Sequence, residues 1–199
     1  MQDLIKEYEG KKEIIKKRLE DFNSVKDDDL FYELCFCLLT PQSKAKNCWN
    51  SVLTLKARKF HENKFDPTKF LDGVRFHNNK GRYLIEAKDK FSLLIEKMND
   101  NVNPEELREW LVNNINGYGL KEASHFLRNI GYRNLAILDR HILKNLKKYK
   151  AIEEIPKTLT KVKYLEIENK FKEFANKVGI NMDELDLLFW SMETGEVFK

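Results

Sequence analysis

Apolar residues recur at helical spacing along most of this chain, and no segment reads convincingly as a strand. From residue 3 to 22, Leu4, Ile5, Tyr8, Ile14, Ile15, Leu19 and Phe22 stand among lysines and glutamates, the pattern of an amphipathic helix with one solvated face. Asp27 to Asp29 read as an N-cap and first-turn acids for Leu30 to Leu39, which is apolar nearly all round and so the central helix of its lobe. A turn over Leu39 to Ala45 leads into a helix through about Arg58, and Asp66-Pro67 opens a short helix ending near Gly73. One helix is expected from about Lys80 to Met98, with Tyr83, Leu84, Ala87, Phe91, Leu94 and Ile95 facing the core. Asn103-Pro104-Glu105-Glu106 is a helix start, with Asn as cap and Pro at the first helical position. Further helices are predicted over Leu120 to Ile130 with Gly131 as the stop, from Asp139 to about Tyr149, from the cap Thr160 to Val178, and from near Asp183 to about Gly195. Leu135 to Leu138 is too short to found a sheet, and no internal repeat or low-complexity segment is present. The expected fold is all-α in two lobes, residues 25–100 and residues 101–199 with helix 3–22, the cleft between them facing residues 117–119.

Composition narrows the class. The 199 residues are 34% charged and 42% hydrophobic, which predicts a soluble chain with a core of ordinary size. No apolar run approaches the ~18 residues of a membrane span, and charges from Lys6 onward argue against a secretory signal. The net charge is only +4, so a basic face must come from uneven placement. Cys35, Cys37 and Cys48 lie in apolar helical surroundings, which favours reduced core thiols in a cytoplasmic protein. His61, His77, His125 and His141 are scattered without a metal-binding spacing, and His77 reads as a surface residue.

The chemistry concentrates in residues 111–146. Gly117-Tyr118-Gly119 forms a hairpin between two helices, and its glycines permit positive φ and close backbone approach to a ligand. The next helix then points its free N–H groups and dipole at whatever approaches, which favours a phosphate. Lys121 stands in its first turn, and Asp139 opens the helix beyond, beside Arg140 and His141.

This hairpin–lysine–aspartate pattern resembles the helix-hairpin-helix superfamily of base-excision DNA glycosylases. That resemblance implies that Lys121 is the nucleophile of a lyase member, that Asp139 is its partner, and that Gly117, Tyr118, Gly119, Arg140 and His141 contact DNA. The stretches GYGLKEASHFLRNIG (117–131), AILDRHIL (136–143), EIPK (154–157), YLEIE (164–168) and LDLLFWSMETGEVFK (185–199) are similar, more narrowly, to the type 2 8-oxoguanine DNA glycosylases, compact prokaryotic enzymes. In that family a tryptophan matching Trp190 stacks on the flipped base, and a terminal lysine matching Lys199 helps distinguish 8-oxoguanine from guanine. The likeness is dense over residues 109–199 and weaker before. Pro41-Gln42-Ser43 replaces the family's Ala-Asn-aromatic, and Phe76 to Gly81 carries an insertion. Gln42 is then either the wedge that fills the space left by a flipped nucleotide or part of a plain turn. Phe76 either stacks on the extruded base or anchors its loop in the core.

The implied reaction follows from two residues. A lysine attacks C1′ of a deoxynucleotide only when neutral, and the first turn of a helix disfavours a positive charge. The Asp139 carboxylate would stabilise positive charge on the sugar as the base leaves, and β-elimination through a Schiff base would then cut the strand. The expected partner is double-stranded DNA containing oxidised guanine, bound by a monomer with no membrane association and no required cofactor. The hairpins of this family also bind a monovalent cation through carbonyls near Ile115 and Gly117. Two rivals stand beside this reading. One is an endonuclease III-like enzyme for oxidised pyrimidines, suggested by Gln42, although the CysX6CysX2CysX5Cys iron–sulfur motif is absent. The other is a non-catalytic DNA-binding hairpin module, which has no use for Lys121 and Asp139 together.

Overall fold

The fold, taken from a computed structural model, is described for residues 1–100 and 102–199. Among the described residues it contains ten α-helices, one 3-10 turn and no strand, so the all-α expectation holds. The chain forms two compact units, Val25–Phe126 and Met1–Ser24 with Leu127–Lys199. The division therefore falls at residues 126 and 127, later than the lobe boundary read from sequence at 100 and 101; residue 101 itself lies outside the described residues.

The unit Val25–Phe126 is built around α2 (Asp28–Leu39), whose side chains from Phe31 to Leu39 are all buried. It packs against α3 (Ala45–Ala57) and α4 (His77–Asp89). Burying each Leu or Phe contributes roughly 1.5–3 kcal/mol, so this helix carries much of the unit's stability. An aromatic cluster extends it, with Phe31 against Tyr32, Phe60, His61 and Phe91. Asp27 stands at the helix start with φ +52 and makes no side-chain cap, which corrects its expected role; Asp28 instead meets His61 and Asp29 meets Lys56. Asp66 does cap, accepting from the Thr68 N–H at 3.0 Å, but the turn it opens, Pro67–Phe70, is 3-10.

The single helix expected to reach Met98 is instead two, α4 and α5 (Phe91–Asn99), broken at Lys90. No Gly or Pro marks the break. Lys90 donates its ammonium to the Asn114 carbonyl at 2.6 Å, which satisfies the end of α6 (Pro104–Asn114). Helix α6 starts as expected, with Asn103 Oδ1 accepting from the Glu106 N–H at 2.8 Å.

The other unit contains α1 (Gln2–Asn23), the last turn of α7 (Leu120–Asn129), α8 (Arg140–Lys148), α9 (Lys161–Val178) and α10 (Met182–Thr194). Helix α10 is buried from Met182 to Phe189 and packs on α1, α8 and α9. Three of its acids are buried with partners far away in sequence. Asp183 accepts from the Asn134 N–H at 3.0 Å, Glu184 from the Tyr8 hydroxyl at 2.6 Å, and Asp186 from Arg128 at 2.6 Å. Residues 135–138 run buried without a sheet, and side chains take the place of a neighbouring strand at Ala136: its N–H donates to Glu168, and its carbonyl accepts from the Tyr164 hydroxyl. Gly131, at φ +101, stops α7 as expected, with the Tyr132 N–H returning to the Leu127 carbonyl at 2.9 Å. Cys35, Cys37 and Cys48 are buried and form no disulfide among the described residues, and burial pushes the Cys35 and Cys48 thiols above their ordinary value.

Candidate active site and nucleic-acid interface

In the unit Val25–Phe126, the hairpin closes through the Tyr118 N–H on the Ile115 carbonyl at 3.1 Å. Gly117 is exposed at φ +88, and a Cβ there would stand 2.8 Å from the Tyr83 ring, so conformation and space both require glycine. Gly119 is not left-handed; its N–H donates to Glu122 Oε2 at 3.2 Å, and a Cβ would meet the same oxygen. Only one of the two hairpin glycines therefore serves conformational freedom. Tyr118, expected at the DNA, is buried with its hydroxyl on the Leu34 carbonyl at 2.9 Å. Its side chain anchors the hairpin on α2, which leaves backbone as the surface available to a ligand.

Lys121 follows in the first turn of α7, with its side chain 27% exposed. Glu122 Oε1 lies 3.4 Å from its amine. One carboxylate thus touches both the hairpin N–H and the candidate nucleophile. The Gly119-x-x-Glu122 spacing is that of the back-reaching acid of a capping box, and this was the signal that could have picked it out.

Gln42 and Phe76 lie in the same unit, and both are exposed non-glycine residues in the left-handed region, at φ +56 and φ +59. Gln42 takes the third position of the turn Thr40-Pro41-Gln42-Ser43, closed by the Ser43 N–H on the Thr40 carbonyl at 3.0 Å. Proline second and positive φ third is the type II arrangement, which favours Gly or Asn where Gln42 stands. Phe76 precedes α4 and is 54% exposed, with the Arg75 guanidinium 5.4 Å from its ring centroid. The core-anchor alternative for Phe76 is excluded by that exposure. Ser43 Oγ accepts from the Arg75 N–H at 3.0 Å, which joins the two turns.

In the other unit, Asp139 caps α8 as expected: one oxygen, Oδ1, accepts from the N–H groups of His141 and Ile142 at 2.8 and 2.9 Å. Arg140 donates to His141 at 3.2 Å, and the His141 ring meets the Trp190 indole edge-on at 5.2 Å. The Trp190 ring N–H is buried and finds no acceptor among the described residues, an orphan donor of the kind a ligand can satisfy. Glu193, one turn beyond Trp190 on α10, pairs with the Lys144 ammonium at 2.7 Å and stands 3.8 Å from His141 Nδ1. Lys144 holds the Glu193 carboxyl below its ordinary value. Sequence reasoning missed Glu193, although its spacing from Trp190 was visible. Lys199 is half-buried at the chain's end.

The hairpin's neutral carbonyls suit a monovalent cation better than a divalent one, which draws carboxylates. The Ile115 carbonyl, already holding the Tyr118 N–H, retains a lone pair for such an ion, whereas the adjacent Asn114 carbonyl holds Lys90. Among the described residues, no three His, Cys, Asp or Glu side chains cluster as a metal site, and no helix is long and apolar enough to cross a membrane.

A family model described as 8-oxoguanine DNA glycosylase matches residues 15–180 of this chain. An 8-oxoguanine DNA glycosylase/AP lyase of Fusobacterium nucleatum is 45% identical over 99% of this chain and 96% of its own length. The crystal structure of the Methanocaldococcus jannaschii 8-oxoguanine glycosylase/lyase, in complex with a 15mer DNA containing 8-oxoguanine, superposes with a TM-score of 0.86 at 38% identity, covering 100% of both chains. That of the Thermotoga maritima 8-oxoguanine DNA glycosylase gives 0.88 at 31% identity, covering 100% of this chain and 97% of its own.

Proposed function

The chain belongs to the 8-oxoguanine DNA glycosylase family, and on that premise we propose that it excises 8-oxoguanine from duplex DNA and then cleaves the strand as an AP lyase. The observation that carries the reading is Lys121 in the first turn of α7, directly behind a hairpin whose Gly117 is required both by φ +88 and by the Tyr83 ring. The hairpin backbone and the start of α7 hold a phosphate without reading sequence, which gives register on the duplex. The target nucleotide leaves the stack at a cost of a few kcal/mol.

The Lys121 amine attacks C1′ as the bond from C1′ to the base nitrogen breaks, and the base leaves with that electron pair. Asp139 opposes the positive charge that develops on the sugar. Loss of the amine proton and ring opening give a Schiff base between Lys121 and C1′. Removal of a C2′ proton then expels the 3′ phosphate by β-elimination, and water releases the enzyme. Trp190, with its orphan N–H, and Phe76, with its exposed ring, supply faces for the extruded base. Lys199 contributes to base discrimination, Gln42 occupies the vacated duplex space, and Arg140 and His141 bind the backbone. A monovalent cation, if bound by the carbonyls near Ile115, would steady the hairpin against phosphate. The protein acts as a monomer in the cytoplasm.

Borohydride trapping tests this on duplexes carrying 8-oxoguanine opposite each normal base, with Lys121→Gln as control. A covalent adduct requiring both the lesion and Lys121 supports the reading, and its yields rank the opposite bases. Cleavage confined to oxidised pyrimidines would move the protein to the endonuclease III branch. Salt-sensitive binding with no adduct on any lesion would leave a non-catalytic DNA-binding module.

A further inference from the structure

Lys80 is a lysine only 5% exposed, in the first turns of α4. Its ammonium donates to the Leu39 carbonyl at 2.7 Å, the Pro41 carbonyl at 2.7 Å and Ser43 Oγ at 3.1 Å. All three of its donors are therefore used, and all on the segment that ends α2 and forms the Gln42 turn. Burial lowers its pKa below the ordinary lysine value. A buried cation in this place is nevertheless well met, because the C-terminus of α2 presents carbonyls and the negative end of its dipole. The Ser43 hydroxyl sits at the junction, accepting from Lys80 and from the Arg75 N–H while its own hydrogen points to the Pro41 carbonyl at 3.4 Å. The start of α4 is itself seated tightly, since a Cβ on Gly81 would stand 2.3 Å from Thr68 Cγ2.

Each of the two turns tied by this junction presents one exposed side chain from a left-handed backbone, Gln42 at φ +56 and Phe76 at φ +59. Strained positions of this kind persist only where the surroundings over-determine them. Resting on the base-excision reading, we propose that Lys80 is a positioning residue that locks the Gln42 turn and the Phe76 turn into one rigid element, so that entry into the duplex and capture of the extruded base are a single coupled event. Lys80 touches neither substrate nor sugar; it acts through the turns. The same junction explains why Gln and Phe, rather than Gly or Asn, can stand at positive φ here.

The experiment compares two reactions on the same enzymes: single-turnover excision of 8-oxoguanine, and strand cleavage at a preformed abasic site, which needs no base capture. Lys80→Met is expected to slow excision roughly 10–100-fold, the cost of loosening a positioned group by about an ångström, while abasic-site cleavage falls less than about threefold. Ser43→Ala, the milder variant in case Lys80→Met does not fold, should shift the same ratio in the same direction by about 3–10-fold, because it removes the hydroxyl shared by Lys80 and the Arg75 N–H while Lys80 keeps its two carbonyl partners. In the Phe76→Ala background, Lys80→Met should add little, because the element it positions is already gone. Equal losses in both reactions, or effects of Lys80→Met and Phe76→Ala that simply multiply, would overturn the coupling while leaving the glycosylase reading intact. A wild-type enzyme that excises nothing would overturn both.

Discussion

Asp139 is the residue at which structure and chemistry can be separated most cleanly. Its Oδ1 caps α8 through two hydrogen bonds at 2.8 and 2.9 Å, and both of these an Asn side-chain oxygen can accept. Asp139→Asn therefore keeps the cap and removes only the charge, whose interaction with the helix dipole is worth about 0.3–1 kcal/mol. Asp139→Ala loses the acceptor as well, a cost of about 0.5–2 kcal/mol. For a chain of this size each kcal/mol moves the melting temperature by about 2–4 °C, so Asn should cost about 1–4 °C and Ala as much as about 8 °C. Catalysis should rank differently. If the carboxylate stabilises charge on the sugar, both variants lose it equally, and excision should fall about 10²–10³-fold in each, the usual loss for one electrostatic stabiliser. Single-turnover excision of 8-oxoguanine at saturating enzyme, read beside thermal melts, gives both orders. Excision by Asp139→Asn within about threefold of wild type would refute the chemical role and leave Asp139 a helix cap.

Three further outcomes follow from the same geometry. Lys121→Gln should abolish the borohydride adduct yet melt close to wild type, because the pair it loses with Glu122, at 3.4 Å and partly exposed, contributes at most about 1 kcal/mol; a surviving adduct would place the nucleophile elsewhere. Gly117→Ala meets both φ +88 and the Tyr83 ring at 2.8 Å. It should cost about 1–2 kcal/mol, a fall of about 2–8 °C in a melt, and weaken DNA binding measured at fixed salt; an unchanged melt would show that the hairpin adapts. Glu193 has a folded value depressed below 4.5 by Lys144, so its stabilisation is present above pH 4.5 and lost as pH falls through the depressed value. In urea unfolding at stepped pH, Glu193→Gln should be less stable than wild type near neutrality and converge with it in acid; a gap that persists in acid would mean the pair is not its cause.

What sequence conveyed about the fold was whatever is decided within a few residues. Asn103, Asp139 and Thr160 all cap the helices they precede, because an N-cap needs only its own side chain and N–H groups two or three positions on. Gly131 stops α7 for the same local reason. The break at Lys90 was invisible because no Gly or Pro marks it and the apolar period continues across it; the Lys90 contact with the Asn114 carbonyl, 24 residues away, was hidden as well. The three buried acids of α10 were equally hidden. Sequence marked Asp183 only as the neighbourhood of a helix start, and the partners that accompany the burial of Asp183, Glu184 and Asp186, namely Asn134, Tyr8 and Arg128, are all far away along the chain. The division at residues 126 and 127 was missed because α7 is one unbroken helix whose ends belong to different units.

The candidate site divides along the same line. Its reactive groups carried a local signature, a lysine two residues past a glycine hairpin and an aspartate at the head of a helix. The groups that hold other residues in place did not, with the exception of Glu122, whose capping-box spacing was legible. Lys80 is the clearest case. Its partners at Leu39, Pro41 and Ser43 lie 37 to 41 residues away, and in sequence it is one basic residue in a polar run. The same asymmetry governs the departures from the family pattern. Pro41-Gln42-Ser43 was read as a departure from the family pattern, yet Ser43 supplies the hydroxyl and Pro41 a carbonyl that receive Lys80. The Ser43 hydroxyl accepts from both the Lys80 ammonium and the Arg75 N–H, so one side chain ties the turn to α4 and to the segment before Phe76. Substitution there is therefore expected to reach the substrate through Gln42 and Phe76 together, not through either alone.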